Sequence, residues 1–564
     1  MGMDDATIHR RRWAILGVLV LCLLIVILDN TILNVALKTI QSDLDASQSQ
    51  MQWAIDSYAL VFAGLLITWG VLGDRLGRKR ILMIGLFLFG VTSAICSFSG
   101  NSAQLIAFRA LMGIGAAAVQ PQTLSIIQNV FDPKERPKAI GIWAGASGIA
   151  IALGPITGGL LLKYFWWGSI FLVNVPIVVV ALIAIWVLVP ESKDPDPGRL
   201  DPAGVLLSIV ALVVLVYGVI EGGNSNDWLA WNTAGAIALG LVLLGVFVVS
   251  QHRSSHPTID VSLFRNRQFS AGAFAIAMTF FALQGSTFYL AYYLQAVRGY
   301  SALRAGTALI AVAAAVMISA PLSAKLSARF GPRAVSGAGL TIFGGTLASY
   351  WFTTEHVPIA YVEVLMAGMG LGMGLTMSPA TNAIMNAVPR HKAGAGSAVN
   401  NTVRQVAGAL GVAVLGSLVA VSFRGDFGTG TAQQVAARLD QPAAVVARLP
   451  EEQRVGPLVQ RDTSQSIGNA LQFVGRAGAA LQARAAAHPG TAPGHEQAAR
   501  AELTGVVQRA RSAFMTALND TSIWAGLAAL LGALVAFRFL PGRREFAATH
   551  GPGDAARPPV EVGA

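Results

Sequence analysis

Apolar residues run almost unbroken from Trp13 to Leu37, 25 positions that, at about 1.5 Å per residue, exceed the roughly 30 Å hydrocarbon layer a spanning helix must cross. Runs of the same kind recur at 51–73, 81–99, 104–128, 138–162, 169–189, 202–221, 233–250, 269–297, 303–327, 333–352, 358–388, 395–421 and 521–540. The pattern predicts an all-α polytopic membrane protein with fourteen transmembrane helices.

Composition agrees with this reading. Hydrophobic residues make up 54% of the chain and charged residues 12%, where a typical soluble domain carries about 25% charged. Arg10, Arg11 and Arg12 ahead of an apolar run could introduce a secretory signal. That run is too long, contains Asp29 and lacks a small-residue cleavage pattern, so it reads as a retained first helix. Cys22 and Cys96 fall inside apolar runs and imply no disulfide framework. The net charge of +11 is dispersed over short loops and not gathered on one face, which argues against a nucleic-acid partner.

Loop charge sets the expected orientation. Twenty-three Lys and Arg fall in the N-terminus, the even-numbered loops and the C-terminal flank, against four (Lys38, Lys163, Arg298, Arg304) in the short odd-numbered loops. Both termini are therefore expected in the cytoplasm. The long connection from Arg424 to Asp520 then lies outside; its ten Arg residues do not contradict this, because long segments translocate regardless of charge. Within it, 465–486 and 495–519 read as amphipathic helices forming a surface cap. The Gly-, Pro- and Ala-rich tail from Thr549 to Ala564 is expected to be disordered.

The chain also resembles itself. "LGDRLGRK" at 72–79 matches "LSARFGPR" at 326–333, "PQT" at 121–123 matches "PAT" at 379–381, and "ALGP" at 152–155 matches "ALGV" at 409–412, at offsets of 254, 258 and 257. Three ordered matches at one spacing predict two six-helix halves, spans 1 to 6 and 9 to 14, with two helices inserted between them. Paired bundles around a central site suit alternating access. The boundaries expected are 1–190 for the first bundle, 191–268 for the linker and inserted pair, and 269–423 for five helices of the second bundle. The outer loop then occupies 424–520, the last span 521–540 and the tail 541–564.

"GVLGDRLGRKR", 70–80, ends the second span. Its Gly70, Gly73 and Gly77 allow close backbone approach, and Asp74 can hold a neighbouring helix N-terminus. The stretch resembles the loop signature of the major facilitator superfamily, which implies that Asp74, Arg75 and Arg78 form a conformational gate. "RALMGIGAAAVQPQT", 109–123, is similar to that superfamily's fourth-helix motif, implying a link between Arg109 and proton transfer. "GASGIAIALGPITGG", 145–159, places Pro155 deep in the fifth span, where it removes a backbone bond and predicts a kink. With Gly145, Gly154, Gly158 and Gly159 it resembles the antiporter signature of exporters. "LDNTILNVAL", "WAIDSYALVFAGLL" and "IFLVNVP" are similar to motifs of the fourteen-helix drug:proton antiporter family. Together these resemblances imply a major facilitator fold of two six-helix bundles plus two inserted helices.

Asp29 is the residue that needs explaining, because a charge inside the bilayer is costly. It lies 8 residues from the outer end of the first span, while Arg109 and Asp56 each lie 5 from the outer ends of theirs. These depths agree to within about one helical turn, so acid and guanidinium can pair. A carboxylate so placed gains or loses its proton as water access or its partner changes. Asp29, Arg109 and Asp56 are therefore the candidate proton-coupling residues. Asn34, Gln120, Gln122, Gln284, Asn400 and Arg404 are the candidate lining of a substrate cavity.

No G-x-x-x-x-G-K-[ST] loop exists for an ATP-driven pump, and no His falls in a predicted span to hold a metal. The function expected is proton-driven export of hydrophobic, cationic drugs or antibiotics. The chain would act as a monomer in the plasma membrane, with protons, the bilayer and a small substrate as partners and no cofactor beyond the proton gradient. Two alternatives stand beside it: a dedicated exporter of one secondary metabolite or lipid, and a non-transporting sensor or scaffold.

Overall fold

A computed structural model of the chain describes residues 5–132, 135–193, 201–254, 257, 261–388, 393–428, 431–439, 467–487 and 493–545. These form helices only: α1 (Asp5–Asp43), α2 (Gln48–Leu76), α3 (Arg78–Cys96), α4 (Ser102–Val130), α5 (Arg136–Tyr164), the broken pair α6 (Ser169–Leu172) and α7 (Asn174–Leu188), α8 (Pro202–Ser225) and α9 (Trp231–Arg253). The second part of the chain holds α10 (Arg267–Tyr292), continued by a π turn over Tyr293–Val297, then α11 (Ala302–Ala308), α12 (Ile310–Phe330), α13 (Pro332–Ser349), α14 (Ile359–Asn386) and α15 (Ala393–Phe427). The short α16 (Thr431–Leu439), α17 (Ile467–Ala487) and the 47-residue α18 (Pro493–Phe539) complete it.

Every predicted span falls on one of these helices or on a broken pair. Eleven described helices are long and apolar enough to cross a membrane, or twelve if the bent pair Gln48–Leu66 and Thr68–Leu76 forms one span. Helices α5 and α13 are not among them, so the count of fourteen is not reached on that criterion. In α13, Gly337, Gly339, Gly344 and Gly345 replace bulky side chains and lower the mean hydropathy, whereas much of α5 lies outside the described residues that this count covers. The outer cap and the last span are not separate elements, because α18 runs through both without a break. The tail from Thr549 and positions 440–466 lie outside the described residues.

The internal repeat is visible in the packing. Helix α2 packs on α4, α3 on α4 and α1 on α5, and the same relations recur as α12 on α14, α13 on α14 and α10 on α15. The backbones of α3 and α4 approach at Gly85 and Gly115, and those of α13 and α14 at Gly339 and Gly372, which are the repeat-related positions. Gly77 (φ 117°) and Gly331 (φ 88°), 254 residues apart, each separate two helices in a conformation that a side chain would strain. The inserted helix α8 packs against both α2 and α15, and α9 leans on α8 with most of its apolar surface outward.

Hydrogen bonds join the two halves where α1 ends and α2 begins. Lys38 Nζ donates to the Gln295 carbonyl at 2.8 Å, Gln295 Nε2 to the Val35 carbonyl at 3.0 Å, and Gln52 Nε2 to the Val412 carbonyl at 3.3 Å. Helix α5 meets α11 at the same end, with Gly159 against Leu303 and Pro155 against Gly306. Helix α17 lies over this junction: Asn469 accepts from Gln41 Nε2 at 2.8 Å, and Arg476 pairs with Asp45.

Candidate functional site

Asp29 sits mid-way along α1, buried between α1, α4 and α7. Arg109 Nη1 donates to Asp29 Oδ2 at 2.6 Å, and both side chains are fully buried. Depth arithmetic anticipated this pairing. The other carboxylate oxygen accepts from Asn174 Nδ2 at 2.9 Å; the same amide reaches Ser93 Oγ at 3.1 Å, and Ser93 donates to the Phe171 carbonyl at 2.8 Å. Arg109 also donates from Nε to the Ala54 carbonyl at 3.1 Å and lies 4.3 Å from the centre of the Tyr58 ring. Five helices thus converge on one ion pair, which lowers the cost of holding either charge away from water.

Two contributors escaped the sequence reading. Asn174 lies in "IFLVNVP" and Tyr58 in "WAIDSYALVFAGLL", yet an Asn or Tyr in an apolar run carries no charge signal. Only the break between α6 and α7, which turns Asn174 inward, shows its use.

Asp56, on α2, is completely buried, and neither oxygen has a hydrogen-bond partner among the described residues. It does not join the Asp29–Arg109 pair.

The expected cavity residues separate into two groups. Gln122 is packed between α2 and α4, with Nε2 donating to the Trp69 carbonyl at 2.6 Å and Gly73 pressed against its side chain. That placement corrects its expected role as cavity lining: its amide serves a helix contact. Asn34 donates to the Asn30 carbonyl at 3.2 Å, one turn back along α1. Gln120 and Gln284 are half-buried with no polar protein partner among the described residues, Gln284 packing over Gly408 of α15. Asn400 is buried with Oδ1 unpaired, and the half-buried Arg404 stacks 4.6 Å over the Phe280 ring.

At the end of α2, Asp74 pairs with Arg78 one turn on, at 2.8 Å, and so does not cap a neighbouring helix as expected. Glu191 takes that position: its Oε1 accepts from the Lys79 amide at 3.1 Å, at the start of α3. A carboxylate there suits the helix dipole. Arg75 is exposed in the last turn of α2, and Gly70 is in ordinary contact with Pro121. In α5, Gly154 packs against Thr31 and Gly158 against Ile32, so the small-residue face receives α1 as well as α11. The surroundings of Gly145 lie outside the described residues. Among the described residues no group of His, Cys, Asp or Glu could hold a metal ion.

A bundle of apolar helices in two similarly packed halves, with a buried ion pair among them, defines a multi-pass membrane transporter. The sequence matches the Major Facilitator Superfamily over residues 19–412, and the chain belongs to that superfamily; it is a transporter and not an enzyme. The multidrug efflux pump LfrA of Mycolicibacterium smegmatis is 36% identical over 447 residues, covering 78% of this chain and 88% of that protein. The methyl viologen resistance protein SmvA of Salmonella typhimurium is 35% identical, covering 73% and 83%, and the tetracenomycin C resistance and export protein of Streptomyces glaucescens 32%, covering 73% and 76%. Among solved structures, a bacterial homologue of the human lysosomal transporter Spinster, inward-facing and unoccupied, superposes with a TM-score of 0.59 at 16% identity, covering 94% of this chain and 98% of that one. That likeness concerns the fold.

Proposed function

We propose that the protein is a proton-driven exporter of amphiphilic drugs or antibiotics, lipophilic cations among them, working by alternating access. The observation that carries the reading is the Asp29–Arg109 pair, completely buried yet built from helices of a bundle that must rearrange. A proton arriving at Asp29 removes its charge, frees Arg109 and loosens the junction of α1, α4 and α7. Loss of that proton to the other side re-forms the pair. Both termini are taken as cytoplasmic, so the end closed by Lys38, Gln295 and Gln52 faces outward. The bundle then has its substrate path closed outside.

The names of the relatives support export of drugs, and the absence of an ATP-binding loop supports a gradient as the energy source. The relative named for export of tetracenomycin C favours a second reading, a pump dedicated to one metabolite. Ethidium efflux from energised cells tests the first. Intact protein should extrude the dye only while the pH gradient persists, and Asp29→Asn should abolish extrusion. An inserted, folded protein that moves neither ethidium nor a zwitterionic dye, or moves them without a gradient, refutes the drug:proton reading.

A further inference from the structure

Three features of the interior bear on the kind of substrate. The first is Arg404, mid-way along α15 and eight residues, or about 12 Å, from the Val412 carbonyl where α2 meets α15. It has no hydrogen bond or ion pair among the described residues; its one contact of note is the Phe280 ring at 4.6 Å. It is only partly buried by its neighbours, whereas Asp56 is completely buried. A guanidinium inside a membrane bundle without a carboxylate partner is costly, which marks Arg404 as a functional position.

The second feature is the polar company of Arg404. Asn401 and Gln405 flank it and Asn400 lies one turn away, all without polar protein partners for their side-chain oxygens or amides among the described residues. Gln284 lies one turn along α10 from Phe280 and packs over Gly408. Amide donors beside a planar guanidinium match the two oxygens of an acidic group.

The third feature is the closed end of the path. Lys38 lies close enough to Arg511 of α18 for the two like charges to interact, and neither forms an ion pair among the described residues. Asp45, the acid nearest on the chain that does pair, is taken by Arg476. Asp29 is likewise taken by Arg109. Lys38 and Arg511 thus stand at this end as two cations without an ion-pair partner among the described residues.

We propose that Arg404 recognises an anionic group, a carboxylate, phenolate or phosphate, on the exported amphiphile, so that acids and zwitterions are better substrates than molecules bearing a cation alone. The inference rests on the exporter reading and narrows its substrate class. The Asn400, Asn401 and Gln284 amides hold the second oxygen, and Phe280 fixes the guanidinium plane. Lys38 and Arg511 then draw the same group towards the outer end.

Two dyes of one skeleton provide the test: tetramethylrhodamine with a free carboxylate, and its methyl ester, which keeps only the cation. Binding to purified protein in nanodiscs is read by fluorescence polarisation, and transport by dye movement in proteoliposomes under a pH gradient. The free acid should bind about tenfold more tightly than the ester. Arg404→Gln should erase that preference, and Arg404→Lys should restore part of it. Equal binding of the two dyes by the intact protein, or equal loss of both in Arg404→Gln, overturns the proposal. Selective binding of the acid without gradient-driven transport keeps the anion site and sinks the exporter reading instead.

Discussion

Arg109 donates to Asp29 through Nη1 at 2.6 Å while its Nη2 is buried with no partner. The pair is held and yet incompletely satisfied, a state consistent with an arrangement that must break during a cycle. Removing one member leaves the other charge buried alone, which typically costs about 3–5 kcal/mol.

Asp29→Asn should therefore lower the thermal midpoint of the detergent-solubilised protein. The double substitution Asp29→Leu/Arg109→Met should recover much of that loss while transport stays absent. Thermal unfolding followed by size-exclusion chromatography reads the first effect and dye efflux the second. Equal stability of Asp29→Asn and the intact protein would dismiss the pair as a structural element.

Asp56→Asn should behave differently. No partner is lost on substitution, so the midpoint should stay within about 1 kcal/mol equivalent of the intact protein. A large stability loss would mean that Asp56 has a structural partner in the folded protein.

Asn174→Leu removes the donor that links Asp29 to Ser93 and should cost about 1–3 kcal/mol, because two buried acceptors are left unsatisfied. Denaturation of Asn174→Leu beside Asn174→Gln checks whether the amide, and not the volume, carries the effect.

Gly159→Val should open the closed end. The Leu303 backbone lies against Gly159, and a branched side chain forces α5 and α11 apart. A cysteine placed at Gln295 should then react faster with a membrane-impermeant maleimide added outside; the native Cys22 and Cys96 are buried and should stay silent. An unchanged rate would show that this contact does not hold the end shut.

Gln41→Cys with Asn469→Cys should be bridged by a short bis-methanethiosulfonate reagent, because the native side chains meet tip to tip in a 2.8 Å hydrogen bond. The bridge is expected to stop dye efflux and its reduction to restore it, because α17 would tie α1 to the helix that becomes the last span. Efflux that continues at full rate in the cross-linked protein would show that the cap rides with α1 throughout the cycle.

The apolar runs alone located the helices, because a segment inside a bilayer must be apolar on all sides and satisfy its backbone internally, a constraint read one residue at a time. Gly77 and Gly331, which the offset near 254 aligns, adopt the same unusual backbone in the structure. Asp29 and Arg109 were legible as partners because a charge in an apolar run is conspicuous and depth follows from counting. What the chain could not reveal is which neutral polar residue faces which neighbour. Asn174 joins the ion pair and Gln122 is consumed by a helix contact, although both look alike as isolated amides in apolar segments. Glu191 replacing Asp74 at the start of α3, and α17 reaching back over α1, depend on contacts between residues more than a hundred positions apart. Helix formation and insertion are local and follow from composition; the rotation of each helix about its axis, which decides what every polar side chain meets, is set only when the helices pack.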